Sequence, residues 1–247
     1  MLKKIFKKIV GLLGYKLVEK NLIKNRRFVN SKSFLNLNFI LKKVFKDHKI
    51  NCLIQIGAND GQRFDELNKF IKEYKTKSVL VEPIIEYFED LKKNYQNLEN
   101  VHFENSAITV DNEEKEIFLV NKKNLENYDE HVRGISSFNK DHLIKHGVKS
   151  NHVIKKKINC ISISNLLKKY NISNLDLLFI DAEGYDGDIL IDFLNNSKQE
   201  PIIIFEYVHI KNDILQNLIN KIISRNYSYF DINENLICLP NKIEKFL

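Results

Sequence analysis

Apolar residues along this chain change their period repeatedly, and the changes mark out its elements. Short, mostly apolar runs at 52–56, 78–81, 101–103, 176–180 and 201–206 have the length of buried strands. Between them the apolar positions recur at three and four residues, predicting helices over 62–74, 84–95, 165–170, 187–195 and 212–225. In the first of these Phe64, Leu67, Phe70 and Ile71 face inward, and Ser164 is placed to cap the third. Further strands are expected at 116–120, as one arm of a hairpin, and at 158–163, 227–231 and 235–239. Only Asn233 and Glu234 separate the last two, a hairpin-sized gap that makes the final strand antiparallel. Strands alternating with helices predict a doubly wound α/β domain over 50–247, its sheet mostly parallel with helices on both faces.

Two segments depart from this rhythm. Residues 121–152 are polar and weakly periodic, and read as a long loop; such loops inside compact domains are usually lids or binding segments. Residues 1–49 form a helical N-terminal extension. Its second helix, near 33–49, turns Phe34, Leu37, Ile40, Leu41, Val44 and Phe45 to one side. Its first, over 1–14, sets Leu2, Ile5, Phe6, Ile9, Val10 and Leu13 opposite Lys3, Lys4, Lys7 and Lys8.

Charge sharpens that contrast. The net charge of the 247 residues is +7, but residues 1–50 carry +12 and residues 51–247 carry −5. A body that gripped nucleic acid would need a basic face of its own, so nucleic acid is not the expected partner. The basic arm is open to three readings: packing on the body or on a second subunit, peripheral contact with an anionic membrane surface, or a nucleic-acid arm. No uncharged apolar run approaches the ~20 residues a spanning helix needs. The odd set Cys52, Cys160 and Cys238 lies in strand-like runs without metal-ligand spacing, which suits buried thiols in a reducing, cytoplasmic compartment.

The chemistry gathers where strands end. The first closes on Gly57-Ala58-Asn59-Asp60-Gly61, where two glycines let the backbone approach a ligand at a junction expected to collect free N–H groups. This is neither the Gly-x-Gly-x-x-Gly of dinucleotide sites nor a phosphate loop with Gly-Lys-Ser/Thr. The second strand closes on Glu82-Pro83, an acid placed to accept hydrogen bonds from both hydroxyls of a ribose.

Taken with Asn105-Ser106-Ala107, Ser136-Ser137-Phe138, the run Asp176 to Tyr185 and Phe205-Glu206-Tyr207, these turns resemble the FkbM-type methyltransferases from about residue 50 to 240. These are class I S-adenosylmethionine-dependent enzymes, many of which methylate sugar hydroxyls. The resemblance implies a Rossmann-like seven-stranded sheet. It implies that residues 57–61 cradle the amino-acid part of the cofactor, that Glu82 holds its ribose, and that Asn105, Ser106 and Ala107 border the adenine. Asp181 would stand under the methionine amino group or the reacting methyl. Many relatives carry Asp where this chain has Gln55, which accepts a hydrogen bond from the ammonium but loses the ionic contribution.

Methyl transfer from a sulfonium is an in-line displacement, and a sugar hydroxyl is a poor nucleophile until its proton leaves. His209, just past the fifth strand, is the preferred general base, with Asp181 and Glu183 beside it. Asp181, Glu183 and Glu206 offer the hard oxygens that Mg²⁺ takes. Ser136 and Ser137 are placed to close over an acceptor, and Tyr185 to stack on a sugar ring. The expected activity is therefore O-methylation of a sugar hydroxyl on a surface glycan or its precursor, at the inner face of the membrane if the arm binds there. A non-catalytic module tethered to membrane or partner, and a nicotinamide-dependent oxidoreductase, are the alternatives.

Overall fold

The computed structural model describes residues 35–63 and 65–243. The expected amphipathic helix at 1–14, with Phe34 and Phe64, lies outside them. One compact unit begins at Leu37. Its first half runs α1 (Leu37–Asp47), β1 (Cys52–Ile56), α2 (Asn68–Tyr74), β2 (Lys77–Val81), α3 (Ile85–Asn94), β3 (Val101–Glu104), β4 (Ala107–Ile108) and β5 (Lys115–Val120). Then come a 3-10 turn, α4 (Glu130–Gly134), β6 (Ser136–Ser137), α5 (Lys140–Lys145), a second 3-10 turn, β7 (Val153–Ile158), β8 (Cys160–Ile161) and α6 (Ile163–Lys169). Finally β9 (Leu177–Ile180), α7 (Asp186–Asn196), β10 (Ile202–Glu206), α8 (Asn212–Ser224), β11 (Tyr227–Ile232) and β12 (Asn235–Pro240) complete it.

Seven strands form the main sheet in the order β3-β2-β1-β9-β10-β12-β11, and the last strand of the chain, β12, runs antiparallel to both its neighbours. The central strands are buried on both sides, which is why their sequences read as mostly apolar runs. Alternate residues feed two cores. Ile54, Ile56, Val79, Val81, Leu178 and Ile203 meet α6, α7 and α8 on one face. Leu53, Leu80, Leu177, Phe179 and Ile204 meet α1, α2 and α3 on the other. The helix read as part of the extension, α1, thus covers the sheet with Leu37, Ile40, Leu41, Val44 and Phe45.

The connection leaves β1 toward β2 on one side, and β9 lies against β1 on the other, so the strand order reverses between them. Open α/β sheets bind ligands outside the carboxyl ends of strands at such a point. Asp181 N–H donates to Ile56 O at 3.0 Å, which locks the two turns side by side. The approach is so close that a Cβ on Gly57 would lie 1.8 Å from Asp181 O, and Gly57 has φ +81°, so only glycine fits.

Three expectations are corrected. Residues 121–152 are not an irregular loop. They fold into short helices and a strand around their own core of Val120, Ile135, Leu143 and Val148, and β5 joins this insert to β7 by antiparallel pairing. Elements of two to six residues are too short to show a period. The strand expected at 158–163 is instead β7 followed by β8. The cap of α6 is Ser162, whose Oγ accepts from Asn165 N, rather than Ser164. Among the described residues no helix is long and apolar enough to cross a membrane. The three cysteines are free, with Cys52 and Cys238 buried and Cys160 partly exposed.

Candidate active site

A cavity of about 470 Å³ opens at the reversal point, within the range of small-molecule sites. The turns after β1, β2, β9 and β10 form its walls, and the insert supplies its roof through Gly134, Ser136, Ser137 and Phe138.

The first turn does not present free N–H groups. Helix α2 starts only at Asn68, so the turn must satisfy itself. Gly57 and Ala58 N–H donate to Val81 O, Asn59 N–H to Glu82 Oε2, and Gly61 N–H to Ala58 O. Asp60 turns away from the cavity: its Oδ1 accepts from Gln62 and Arg63 N–H and its Oδ2 from Arg63 Nε at 2.5 Å. Burial would raise its pKa, but the Arg63 guanidinium and these N–H groups hold it below the usual carboxylate range. Gly61 (φ +67°) packs against Leu91 and Tyr95 instead of facing a ligand.

Glu82 lines the cavity yet is 4% exposed. Each carboxylate oxygen accepts one backbone N–H, from Asn59 at 2.9 Å and Ile84 at 2.7 Å, and keeps a lone pair in reserve. Burial lifts its pKa to about 7 against those two bonds, with Asp60 adding to the rise. Pro83, Ser106 and Ala107 line the same wall, and Ser106 Oγ is held by Glu104 at 2.8 Å. Asn105 does not join them. Its Nδ2 donates to Glu82 O and Pro83 O, so it braces the turn after β2 from outside.

Gln55 lines the floor. Its Nε2 donates to Asp65 Oδ1 at 3.0 Å, while its Oε1 is buried without a hydrogen-bond partner. An orphaned buried acceptor carries the full desolvation cost, which a cationic donor in the cavity would relieve. Asp65 also accepts from Leu67 N, Asn68 N and the Tyr95 hydroxyl, and burial pushes its pKa up. Asp65 and Glu66 were not singled out from the sequence. Their signal was an acid pair four residues past Gly61, inside a stretch read as helix.

At the far end Asp181 shows much of its surface to the cavity while lying deep among protein atoms. Burial first, then Glu183, Asp186, Glu206 and Glu66, raise its pKa well above the carboxylate range. Asp186 anchors this turn by accepting from Ala182 N and Gly184 N, and burial brings its pKa to about 6. Glu206 rises to about 8 through burial and the charges of Glu183, Asp186 and Glu234. Glu183 adopts φ +50° and turns its side chain to the insert, where its Oε2 lies 2.8 Å from His142 Nε2. Ser137 is occupied structurally, donating to Glu183 O at 2.9 Å and accepting from Asn139 N. Tyr185 lines the cavity edge-on to Phe138, ring centroids 5.1 Å apart.

His209 lies in the cavity wall with Nε2 3.6 Å from Glu206 Oε1, but it is not a lone imidazole. His142 and His146 lie against it at ring-centroid distances of 4.6 Å and 5.3 Å, and burial and His142 lower its pKa. The expected cation site of Asp181, Glu183 and Glu206 does not assemble. Among the described residues the group whose ligand atoms converge is His142, His146 and His209. Its signal in the sequence was His142-x-x-x-His146, one helical turn apart within the segment read as a loop.

Seven acids (Asp65, Glu66, Glu82, Asp181, Glu183, Glu206 and Glu234) thus share the cavity with one arginine, Arg63. Such a field favours a ligand carrying positive charge, and S-adenosylmethionine brings a sulfonium and an ammonium. With the orphaned Gln55 Oε1 on the floor, the residues present fit that cofactor.

Residues 55–229, more than half of the chain, match the family described as Methyltransferase FkbM domain. No curated protein matches the chain in sequence. Among solved structures, methyltransferase FkbM from Methylobacillus flagellatus KT is 11% identical, with a TM-score of 0.46 over 76% of this chain and 43% of that one. The chain therefore spans less than half the length of that protein. An O-methyltransferase from Bacillus cereus in complex with SAH is 11% identical, with a TM-score of 0.45 over 97% of this chain and 100% of that one. The SAH-bound methyltransferase PaMTH1 from Podospora anserina is 10% identical, with a TM-score of 0.45 over 90% and 87%. On the sequence match across the sheet and its turns, the chain belongs to the FkbM methyltransferase domain family and is an S-adenosylmethionine-dependent methyltransferase.

Proposed function

We propose that the enzyme methylates an oxygen, a hydroxyl of a sugar on a cell-surface glycan or its precursor. One observation carries this reading: a single cavity runs from Glu82, where a ribose diol can be held, to the cluster of Asp181, Glu206 and His209 under the insert. Gln55 Oε1 and Asp181 take the methionine ammonium between them, and the turn at 57–59 bounds the amino-acid portion. Ser106 and Ala107 border the adenine, without Asn105. The insert lines the remaining end of the cavity, where an acceptor would enter.

At that end the wall offers what a sugar needs. The Tyr185–Phe138 pair presents aromatic surface for a pyranose face. The imidazole and carboxylate cluster activates the hydroxyl, and positioning supplies much of the remaining rate. Among the described residues the cavity lining holds one arginine and no lysine, so it offers little to hold a diphosphate, and the reacting sugar enters without one. The apolar and lysine faces of residues 1–14 would bring the enzyme to an anionic membrane surface where such glycans are built. Deleting those residues should abolish sedimentation with anionic vesicles; unchanged sedimentation sinks that role.

Mass spectrometry of cell-envelope sugars with and without the enzyme tests the activity. The expected result is loss of one methyl group from a defined sugar. An unaltered sugar profile, together with S-adenosylhomocysteine binding and no turnover on any glycan, would favour a non-catalytic module.

A further inference from the structure

His142 lies in helix α5 and His146 is the C-cap residue that ends it, and their rings lie with centroids 4.7 Å apart. Both meet His209 from the turn after β10, and the three rings pack with centroids 4.6 to 5.3 Å apart. One ring nitrogen from each lies within 4.8 Å of the other two. A tetrahedral zinc ion, with Zn–N near 2.0–2.1 Å, sets its ligand nitrogens about 3.3 Å apart. A bound ion would have to draw the three nitrogens together from within 4.8 Å to that spacing.

We propose that His142, His146 and His209 form a mononuclear site for a divalent transition metal of zinc's class, with its open position on the cavity. Two further features support a built site over three packed rings. The first is Glu183, whose carboxylate receives His142 Nε2 at 2.8 Å. Metal-binding imidazoles carry such a carboxylate on the nitrogen that does not bind the metal, which fixes tautomer and ring direction. Glu183 is itself pinned, by the Ser137 Oγ bond to its carbonyl and by its φ of +50°. The second is exposure. His142 is buried, whereas His146 and His209 border the cavity, so three ligands come from protein and the fourth position faces the acceptor end. Three protein ligands with one open position is the pattern of catalytic rather than structural zinc. Imidazoles without carboxylate ligands select a zinc-like ion over Mg²⁺.

The role of the metal rests on the methyltransferase reading. The acceptor hydroxyl oxygen takes the open position and its pKa falls. Its proton passes to cavity water and the oxygen attacks the methyl carbon. The carbon–sulfur bond breaks with its electron pair going to sulfur, which leaves S-adenosylhomocysteine.

The test uses the full chain without a polyhistidine tag, stripped with chelator and titrated separately with zinc, cobalt and magnesium chlorides. One zinc per chain should survive gel filtration, cobalt should give the visible absorption of a tetrahedral site, and millimolar magnesium should displace neither. His146→Ala and His209→Ala should each weaken zinc binding at least 100-fold. Glu183→Gln should weaken it 10- to 100-fold at unchanged stoichiometry. Failure of the wild-type chain to take up zinc or cobalt overturns the proposal, whatever the variants do, as does uptake unaltered in both histidine variants. Calorimetry with S-adenosylhomocysteine keeps the two readings apart. Cofactor binding without metal uptake sinks only the metal site, and metal uptake without cofactor binding sinks the methyltransferase reading.

Discussion

Replacing Glu82 by Gln removes one charge and almost no volume, and the structure makes the consequence calculable. Both carboxylate oxygens already accept a backbone N–H, from Asn59 and Ile84. An amide has one acceptor oxygen, so its NH₂ must face one of those donors, at a cost of about 1–3 kcal/mol. Two charge-assisted bonds to the ribose also become ordinary ones, a loss of about 1 kcal/mol each. The NH₂ misfit burdens the free and the bound chain alike and lowers stability, whereas the two weakened ribose bonds should cut affinity for S-adenosylhomocysteine by about 2 kcal/mol, roughly 30-fold. The pH profile adds an independent check. The folded pKa of Glu82 is about 7, raised by burial from 4.5. The cofactor needs the carboxylate, so wild-type affinity should drop about tenfold from pH 8 to pH 6. Stability runs the other way. A raised acid pKa favours the folded state fully below pH 4.5, and that advantage is lost as pH rises through 7. Titration calorimetry at pH 6, 7 and 8, with thermal melts at the same pH values, measures both. A Glu82→Gln chain with wild-type affinity, or with the wild-type slope between pH 6 and 8, would show that the Glu82 carboxylate does not hold the ribose.

Three further outcomes are expected. Gly57→Ala should cost about 3–5 kcal/mol, because its Cβ meets Asp181 O at 1.8 Å in a left-handed backbone; a melting temperature within a few degrees of wild type counts against the close approach of the two turns. Asp186→Asn should destabilise by about 1–3 kcal/mol, since one of the N–H groups of Ala182 and Gly184 then faces an NH₂. It should also flatten stability across pH 4–6, where wild type loses stability as this carboxyl ionises; urea melts at pH 4 and 6.5 read both effects. Gln55→Asp should lower the stability of the cofactor-free chain, because Asp65 then faces a carboxylate in place of Gln55 Nε2; higher stability by chemical denaturation would contradict that.

The central sheet was legible because burial on both faces writes strands as mostly apolar runs, and the turn residues after them mark the ligand edge. Most residues picked out at those turns share one cavity, and the exceptions have a common cause. The family resemblance implied cofactor contacts for Asp60, Gly61 and Asn105, but Asp60 and Asn105 bond the backbone of the turns and Gly61 packs on Leu91 and Tyr95, as residues in tight turns often do. Sequence spacing does not say which way they point. The insert stayed hidden for another reason. Its core rests on Val120, Ile135, Leu143 and Val148, separated by 5 to 15 residues, and no window detects a pattern that sparse. His142 was missed with it, since its partner Glu183 lies 41 residues away.

The insert has a small core of its own and meets the sheet domain through the Phe138–Tyr185 contact, the packing of His142 and His146 on His209, and the bonds of Ser137 and His142 to Glu183. Donor chemistry belongs to the strand ends, where every turn is braced by its neighbour and tolerates little change. On the proposed function, residues 134–146 of the insert bound the acceptor end of the cavity, so substitutions there would change what is modified while the strand-end turns stay as they are.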